Sequence, residues 1–366
     1  MLERTIFFYL LRRNFVLFFV VALSFMVVYI VGQIAELSRA GLGSTQGLAN
    51  MLMISFFRTP IMMQPALPYV IFLSTALSVS RFVRSSELAV LFQLGVHPRR
   101  LLSPFAATGL IVGVVYVLAV HPLSGLGYQY AESEVAEARR IIQAEAKTGS
   151  PRELVVLDDN QTVYIIVRRV DPGGFELRGL TFFHLDSHHR FLERFEAARL
   201  THTEQGWRVL ETDFIPLEDR PLPEVYERAM AQITPEMLRV QLGNRYGYSI
   251  YELPEIISFS DLVGAKTQLY GAQFHGLIAL PALLAAVAML SAAFLVRPLP
   301  SRKLTRDAMM VMMVSWSVYI LSTVADALSV RGVYPSIVLA WSLPFLLVLA
   351  GLMVIGFKGA RIPKSG

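Results

Sequence analysis

The chain has no cysteine among its 366 residues, only three tryptophans, and a charged fraction of 17% against a hydrophobic fraction of 54%. Without cysteine, the protein has no disulfide framework, no thiol nucleophile and no metal site with cysteine ligands. The low charge excludes an ordinary soluble protein, but the charges that remain are too many for a chain buried wholly in lipid. We therefore expect a membrane-embedded part joined to a water-exposed part.

Signatures of energy conversion and catalysis are also missing. No G-x-x-x-x-G-K-[ST] loop is present to hold nucleotide phosphates, so we do not expect the chain to hydrolyse ATP itself. The apolar stretches carry no paired carboxylates of the kind that relay protons, which argues against an ion-coupled transporter. Neither G-x-S-x-G nor H-E-x-x-H occurs, so an enzyme would need an unrecognised site. We interpret His184, His188 and His189 as solvated turn residues and predict no metal site, because no carboxylate or cysteine completes a ligand spacing.

Six apolar stretches of about 20 residues predict six membrane-spanning helices. The second stretch is interrupted by Pro60, Pro65 and Pro68, and proline removes a backbone donor and kinks a helix. The first has no small-residue cleavage site, so we expect it to be retained. The predicted spans are residues 14–34, 51–80, 101–120, 274–296, 308–327 and 336–357.

Four basic clusters predict the orientation of these spans. They lie at residues 12–13, 81–100, 297–306 and 358–364, and six crossings place all of them on the same side. Basic loops are retained in the cytoplasm, which also accounts for the net charge of +5 without a nucleic-acid partner. We therefore expect both termini in the cytoplasm and the long segment 122–273 outside.

The long outer segment has its own pattern. After a helix-like stretch at 125–148, the period changes to two, with Val163, Ile165 and Val167 on one face of a predicted strand. Turn signals such as Asp171-Pro172-Gly173-Gly174 recur between such strands, which is typical of an antiparallel sandwich or open barrel. The predicted fold class is an α+β membrane protein, divided into a membrane half at 1–124, a β-domain at 125–270 and a second membrane half at 271–366.

A short amphipathic connector, residues 84–97, lies between the second and third spans. Glu87 at its start has two interpretations: an N-terminal helix carboxylate stabilised by the helix dipole and by Arg84, or a charged contact to a basic groove on a cytoplasmic partner. A connector with an apolar face suggests a docking partner, although such a face can also lie on the membrane surface. That face comprises Leu88, Leu91, Phe92 and Gly95, at helical spacing.

Two further sets of residues suggest contacts with an amphiphile. Arg39, Arg58 and Arg331 fall on the outer side, where a guanidinium either reaches lipid head groups or recognises the phosphate of an anionic amphiphile. Methionine adapts to irregular acyl chains, so apolar residues of three spans could line a lipid cavity or simply pack against other helices. These residues are Phe25, Met26, Tyr29, Met62, Met63, Met309, Met310, Met313 and Trp316.

Four local patterns in this order resemble the LptF/LptG permeases of the bacterial lipopolysaccharide exporter, and LptG more than LptF. Glu36 to Ser44 is similar to the exit from the first helix of LptG, and Arg84-Ser85-Ser86-Glu87-Leu88 with Gly95 beyond it is similar to the coupling helix of the family. Tyr164-Ile165 and Trp207-Arg208 fit its β-domain strands, and Ala340-Trp341-x-x-Pro344 fits its last helix. One departure is Gly32 or Gln33, where LptG often has a lysine.

The resemblance implies a half-transporter that pairs with a sister permease and with two copies of a cytoplasmic ATPase, which would bind the ATP and Mg²⁺. Glu87 and its apolar neighbours would dock in the ATPase groove, and the first and fifth helices would form lateral gates for lipopolysaccharide. The β-domain would be a jellyroll, with Val163, Ile165 and Val167 on the lipid path or in its core, that hands lipid to further periplasmic jellyrolls. The departure at Gly32 or Gln33 shifts phosphate contact towards Arg39 and Arg58.

Two other functions remain open from the sequence. The chain could be a membrane-anchored scaffold or sensor whose outer β-domain binds a protein partner without transport. It could also be an integral-membrane hydrolase acting on lipids, which would require activity in the purified chain alone.

Overall fold

The computed structural model describes residues 2–42, 47–146, 152–158, 161–170, 176–185, 190–203, 206–211, 220–221, 226, 230, 248–263, 267–296 and 304–359. The chain divides into two compact units. A helical unit comprises Met1–Glu134, Arg245–Ile257 and Thr267–Gly366, and a sheet unit comprises Val135–Asn244 and Ser258–Lys266.

Ten α-helices are described, and several extend beyond the predicted spans. The first, α1, is one continuous helix of 38 residues, because the arginines that flank its apolar part are themselves good helix formers. The third predicted span continues through a π-helical turn at Tyr116–Val120 into a helix that ends at Ala146. The helices are α1 (Leu2–Arg39), α2 (Leu48–Met62), α3 (Leu67–Arg84), α4 (Glu87–Gln93), α5 (Ser103–Val115), α6 (His121–Ala146), α7 (Leu253–Val263), α8 (Thr267–Leu295), α9 (Leu304–Val330) and α10 (Ser336–Gly359).

The prolines of the second span act as the sequence predicts. Pro60 lies inside the last turn of α2, and a 3₁₀ turn at Gln64–Ala66, with Pro65 in it, separates α2 from α3. Pro68 lies in the first turn of α3, where its missing N–H has no intrahelical partner to lose. The second span is therefore two helices joined by a break.

Helix α8 is the centre of the helical unit and packs against α3, α5 and α10. Its contact with α5 is unusually close, because a Cβ atom at Gly109 would lie 2.3 Å from the carbonyl oxygen of Leu284, and one at Gly113 would lie 2.4 Å from the Cα of Pro281. Only glycine lets the two backbones approach this far.

Six helical stretches are long and apolar enough to cross a membrane: Arg4–Arg39, Gln64–Arg84, Arg100–Val135, Thr267–Leu295, Met313–Val330 and Ser336–Gly356. They fall into two groups by burial. Between 56% and 67% of the apolar window is buried in the second, third and fourth stretches, but only 17%, 17% and 22% in the first, fifth and sixth. The helices α1, α9 and α10 therefore bury few of the residues in their apolar windows.

The sheet unit contains one antiparallel sheet whose described strands pair in sequence order, β1-β2-β3-β4-β5-β6. Its strands are β1 (Arg152–Asp158), β2 (Gln161–Val170), β3 (Glu176–Leu185), β4 (Phe191–Thr203), β5 (Gly206–Glu211) and β6 (Arg220–Pro221). Alternate residues of β2 and β3 are buried, as the period of two predicts. The predicted fold class, six apolar spans with an antiparallel β-domain between the third and fourth, is confirmed.

The interpretation of His184 as a solvated turn residue is wrong. Strand β3 continues to Leu185, with an irregularity in its pairing at His184 and Leu185, and the imidazole is buried. Its Nδ1 lies 3.6 Å from Oε1 of Glu193, and its ring contacts that of Tyr226. His188, His189 and the predicted turn at Asp171 to Gly174 lie outside the described residues.

Candidate functional site

Helix α4 occupies the predicted connector but is shorter than the predicted helix at 84–97. Ser86, immediately before it, has a left-handed backbone (φ 61°), and Gly95, just after it, has a φ of 77°. A residue with a left-handed backbone interrupts the regular hydrogen bonding of a helix, so these two residues bound α4 at its two ends. The conformation is strained for serine but not for glycine. The chain therefore leaves α3 and α4 by two sharp turns, which set α4 apart as a separate seven-residue segment.

Glu87 is bound to α1. Its Oε2 accepts a hydrogen bond from the Tyr9 hydroxyl at 2.8 Å, and its Oε1 accepts from Nη1 of Arg13 at 2.9 Å and from the Ser85 hydroxyl at 2.8 Å. Partial burial by itself raises the pKa of the Glu87 carboxyl, but the hydrogen bonds from Tyr9, Ser85 and Arg13 outweigh it and hold the pKa below its usual value. The partner of Glu87 is therefore Arg13, not the predicted Arg84.

The apolar residues of α4 divide between two faces. Leu88 is 1% exposed and joins Leu10 and Phe82 in a core cluster of the helical unit. Leu91 and Phe92, which the sequence places on the docking face with Leu88, are half-buried against the same cluster. The exposed apolar side chains are Val90 (53%) on α4 and Leu94 (60%), the residue that caps its C-terminus, next to the exposed Gly95.

The three predicted phosphate-contacting arginines differ in their surroundings. Arg39, at the end of α1, and Arg331, in the turn after α9, are exposed. The side chain of Arg58 is only 16% exposed, its Nη2 lies 2.9 Å from Oε1 of Glu132, and its guanidinium lies 5.7 Å from the centre of the Tyr128 ring. In this state, a carboxylate of the chain already neutralises Arg58. Ser44, the last residue of the predicted motif at 36–44, lies outside the described residues.

The predicted acyl-contacting residues also differ in exposure. Phe25, Met26 and Tyr29 are half-buried in a part of α1, residues 22–36, in which no residue is buried. The ring of Phe25 contacts that of Tyr69 on α3, with 5.4 Å between centres. Met62 is half-buried and Met63 is buried, both at the break of the second span. The exposed members are Met309, Met310, Met313 and Trp316, all on α9.

The three predicted lipid-path residues of the sheet unit, Val163, Ile165 and Val167, are fully buried in its core. Two residues beyond the strands, Tyr226 and Met230, are buried in the same core. The Tyr226 ring stacks on that of Phe195 with 5.2 Å between centres. In the part of the chain that the structure describes, these side chains pack against one another as a core.

The Tyr226 hydroxyl is held at the edge of this core. It donates a hydrogen bond of 2.9 Å to Oε1 of Glu193 on β4. Burial raises the pKa of Tyr226, and the hydrogen bond to Glu193 raises it further, so the hydroxyl keeps its proton at any physiological pH. Among the residues that the structure describes, no cluster of three His, Asp or Glu side chains could hold a metal ion.

Comparison with known proteins identifies the family. A sequence model described as lipopolysaccharide export system permease LptF/LptG matches residues 8–356, which is nearly the whole chain. The chain belongs to the LptF/LptG family. No curated protein matches the chain. Family membership makes this chain a multi-pass inner-membrane protein with a permease role in lipopolysaccharide transport, and a transporter component rather than a conventional enzyme.

For an LptF/LptG permease, two features of the structure add to what the sequence predicts. Tyr9 and Arg13 hold Glu87 from a distance of more than 70 residues along the chain, which no local pattern reveals. The exposed side chains of α4 are on the face opposite to the one chosen by helical spacing. By contrast, Gly109 and Gly113 form a G-x-x-x-G pattern in an apolar run, so the close packing of α5 on α8 was readable from the sequence.

Proposed function

We propose that the chain is the permease subunit that extracts lipopolysaccharide from the outer leaflet of the inner membrane, driven by a separate cytoplasmic ATPase that docks on α4. The observation that carries the proposal is the exposure of Val90 on a short helix between two spans and of Leu94 at its C-terminal cap, within the basic segment 81–100. The chain has no nucleotide-binding loop of its own, so the energy for extraction must enter from another subunit.

The energy requirement supports a separate ATPase. Exposing acyl chains to water costs about 0.8 kcal/mol per CH₂, so extraction needs both external work and an apolar receiving surface. The exposed methionines of α9 and the half-buried aromatic residues of α1 supply flexible apolar surface of this kind. We propose that α1 and α9 form the lateral gates and that the exposed surfaces of both face lipid and a sister permease, LptF if this chain is of the LptG type.

The three outer-side arginines would then contribute unequally to binding the lipid phosphates. Arg39 and Arg331 are open to solvent and available to an anionic head group, whereas Arg58 would first have to leave Glu132. We propose Arg39 and Arg331 as the first phosphate contacts and Arg58 as a contact formed only after its ion pair opens.

The proposed topology follows from the basic clusters: both termini and α4 in the cytoplasm, and the sheet unit in the periplasm. The sheet unit would be the jellyroll that passes lipid to periplasmic bridge proteins. Because Val163, Ile165 and Val167 are buried in its core, we propose that acyl chains reach them only after the residues that cover them move aside.

The test is assembly. The chain is co-expressed with the candidate sister permease and ATPase, and the complex is purified through a tag on the ATPase. We expect Val90→Asp together with Leu94→Asp to abolish co-purification, because two charges would be buried against an apolar groove. Gln93→Asp, a charge added to an exposed polar position of the same helix, is the matched control and should co-purify normally. Normal recovery of the Val90/Leu94 variant would refute docking on α4.

A further inference from the structure

Glu87 lies on the proposed docking helix, but its carboxylate is bound within the chain itself. We propose that Tyr9 and Arg13 are positioning residues of the coupling machinery, which pin Glu87 to the start of α1 so that α4 and α1 move as one body. This inference rests on the proposed function, since it assigns the route by which movement of α4 reaches the helix proposed as a lateral gate.

The hydrogen bonds around Glu87 form a closed network. Besides donating to Glu87, Nη1 of Arg13 donates to the Tyr9 hydroxyl at 2.7 Å, and that hydroxyl donates to Oε2 of Glu87. The guanidinium of Arg13 also lies 5.3 Å from the centre of the Tyr9 ring and 5.6 Å from that of Phe82. A single exposed ion pair is weak, but here each bond restricts the geometry of the others.

Both oxygens of the Glu87 carboxylate are occupied by donors from the same chain. Ser85 supplies the third hydrogen bond, from the residue that precedes the left-handed Ser86. A partner that bound this carboxylate directly would have to displace at least one of these donors. The network therefore favours an internal role for Glu87, with Val90 and Leu94 left to face the partner.

An apolar contact below the network reinforces the same junction. Leu10 of α1 and Leu88 of α4 are both 1% exposed, and both belong to the core cluster that contains Phe82. Leu10 lies between Tyr9 and Arg13 along α1, and Leu88 follows Glu87 directly. Helix α4 is thus held to α1 by a polar network at the surface and by packed side chains beneath it.

Helix α1 is suited to carry movement away from this junction. It contains no proline and spans about 57 Å for its 38 residues, at 1.5 Å per residue. From Arg13 to Met26 the helix rises roughly 20 Å, to the part of α1 in which no residue is buried. A tilt or rotation imposed at Glu87 would therefore be transmitted to Phe25, Met26 and Tyr29.

The functional test uses charge reversal in the complete complex in proteoliposomes that contain lipopolysaccharide. Arg13→Glu and Glu87→Arg are each expected to lower the lipopolysaccharide extracted per ATP hydrolysed by about tenfold, and the double reversal to restore it to within about threefold of the wild type. Arg12→Glu, which reverses an exposed neighbouring charge, is the control and should stay within about twofold.

Three outcomes would overturn the positioning role of Tyr9 and Arg13. One is an Arg13→Glu variant that extracts as much lipopolysaccharide per ATP hydrolysed as the wild type. A second is loss of ATPase binding in Glu87→Arg alone, with no rescue by the second reversal, which would assign Glu87 to direct docking. The third is an equal defect in Arg12→Glu. If the wild-type complex neither assembles nor extracts lipid, the proposed function fails instead. The next experiment still tests whether Tyr9 and Arg13 hold Glu87 in place.

A measurement on the isolated chain in nanodiscs is independent of activity. The chain has no cysteine, so spin labels at Arg12→Cys and Gln93→Cys report the distance between α1 and α4 by pulsed electron paramagnetic resonance. We expect one narrow distance distribution, broadened by Tyr9→Phe, which keeps the ring and removes only the donor. A distribution that is equally narrow with Tyr9→Phe and with Arg13→Ala would overturn the proposal.

Discussion

The close approach of α5 and α8 at Gly109 gives the sharpest prediction of stability. In Gly109→Ala the new Cβ would lie 2.3 Å from the Leu284 carbonyl oxygen, and its three nearest neighbours are all backbone atoms, which cannot rotate away. Ordinary van der Waals contact of a Cβ begins at 3.4 Å, so α5 and α8 would have to separate locally by about 1 Å. Overpacking of this kind costs about 1–3 kcal/mol, and because α8 is the central helix the shift is carried into its other contacts.

The assay is reversible unfolding of the purified chain in detergent, followed by circular dichroism. Gly276→Ala is the matched control: Gly276 lies in α8, and a Cβ there meets nothing within 4 Å. Since alanine is the better helix former by about 1 kcal/mol, the control should be unchanged or more stable. A Gly109→Ala variant as stable as Gly276→Ala would refute the close approach of α5 and α8.

Three more predictions follow from single contacts. Glu132→Ala leaves the poorly exposed Arg58 guanidinium without its carboxylate and should lower the free energy of unfolding in the same assay by about 1–3 kcal/mol. The double variant Glu132→Ala/Arg58→Ala should lose less, because it leaves no unpaired charge. Tyr226→Phe removes the hydrogen bond to Glu193 and should lower the free energy of unfolding, measured by pulse proteolysis, by about 1 kcal/mol. Tyr226→Ala also leaves a cavity and should lower it by about 3–5 kcal/mol. Equal losses in the two variants would contradict the position of Tyr226 in the core. Because the pKa of Glu87 is lowered, its contribution to stability is complete above the usual value of 4.5 and is lost as the pH falls through the lowered value. Protection of the α4 amides from hydrogen exchange should therefore be constant between about pH 5 and pH 8. A decrease in protection across that range would contradict the network.

The membrane part of the fold was largely predictable because hydrophobic length and charge are one-dimensional signals. Six spans, the break of the second span at its prolines and the alternation in β2 all follow from local sequence. The ends of the helices were not predictable, since the hydrogen-bonded helix of α1 continues past its apolar part through Arg12 and Arg13. A membrane limits apolar length, not helix length.

The site was less predictable, because its contacts join distant parts of the chain. Helical spacing correctly groups Leu88, Leu91 and Phe92, but it does not say whether that face meets a partner or the chain's own core. The same limit applies to Arg58, which the positive-inside pattern marks as unusual although its partner is Glu132, 74 residues further along the chain. Pairings of this kind require the tertiary structure.

The central proposal, that α1 and α9 carry lipopolysaccharide through the permease, is tested most directly by photocrosslinking from Phe25 and Met310 in proteoliposomes with the assembled complex. We predict lipopolysaccharide adducts at both positions that depend on ATP, and no such dependence at the exposed Met353 of α10. A known lipopolysaccharide-binding protein, crosslinked in parallel, is the positive control. If it forms adducts, then the absence of adducts at Phe25 and Met310, or adducts that form equally without ATP, would contradict the account.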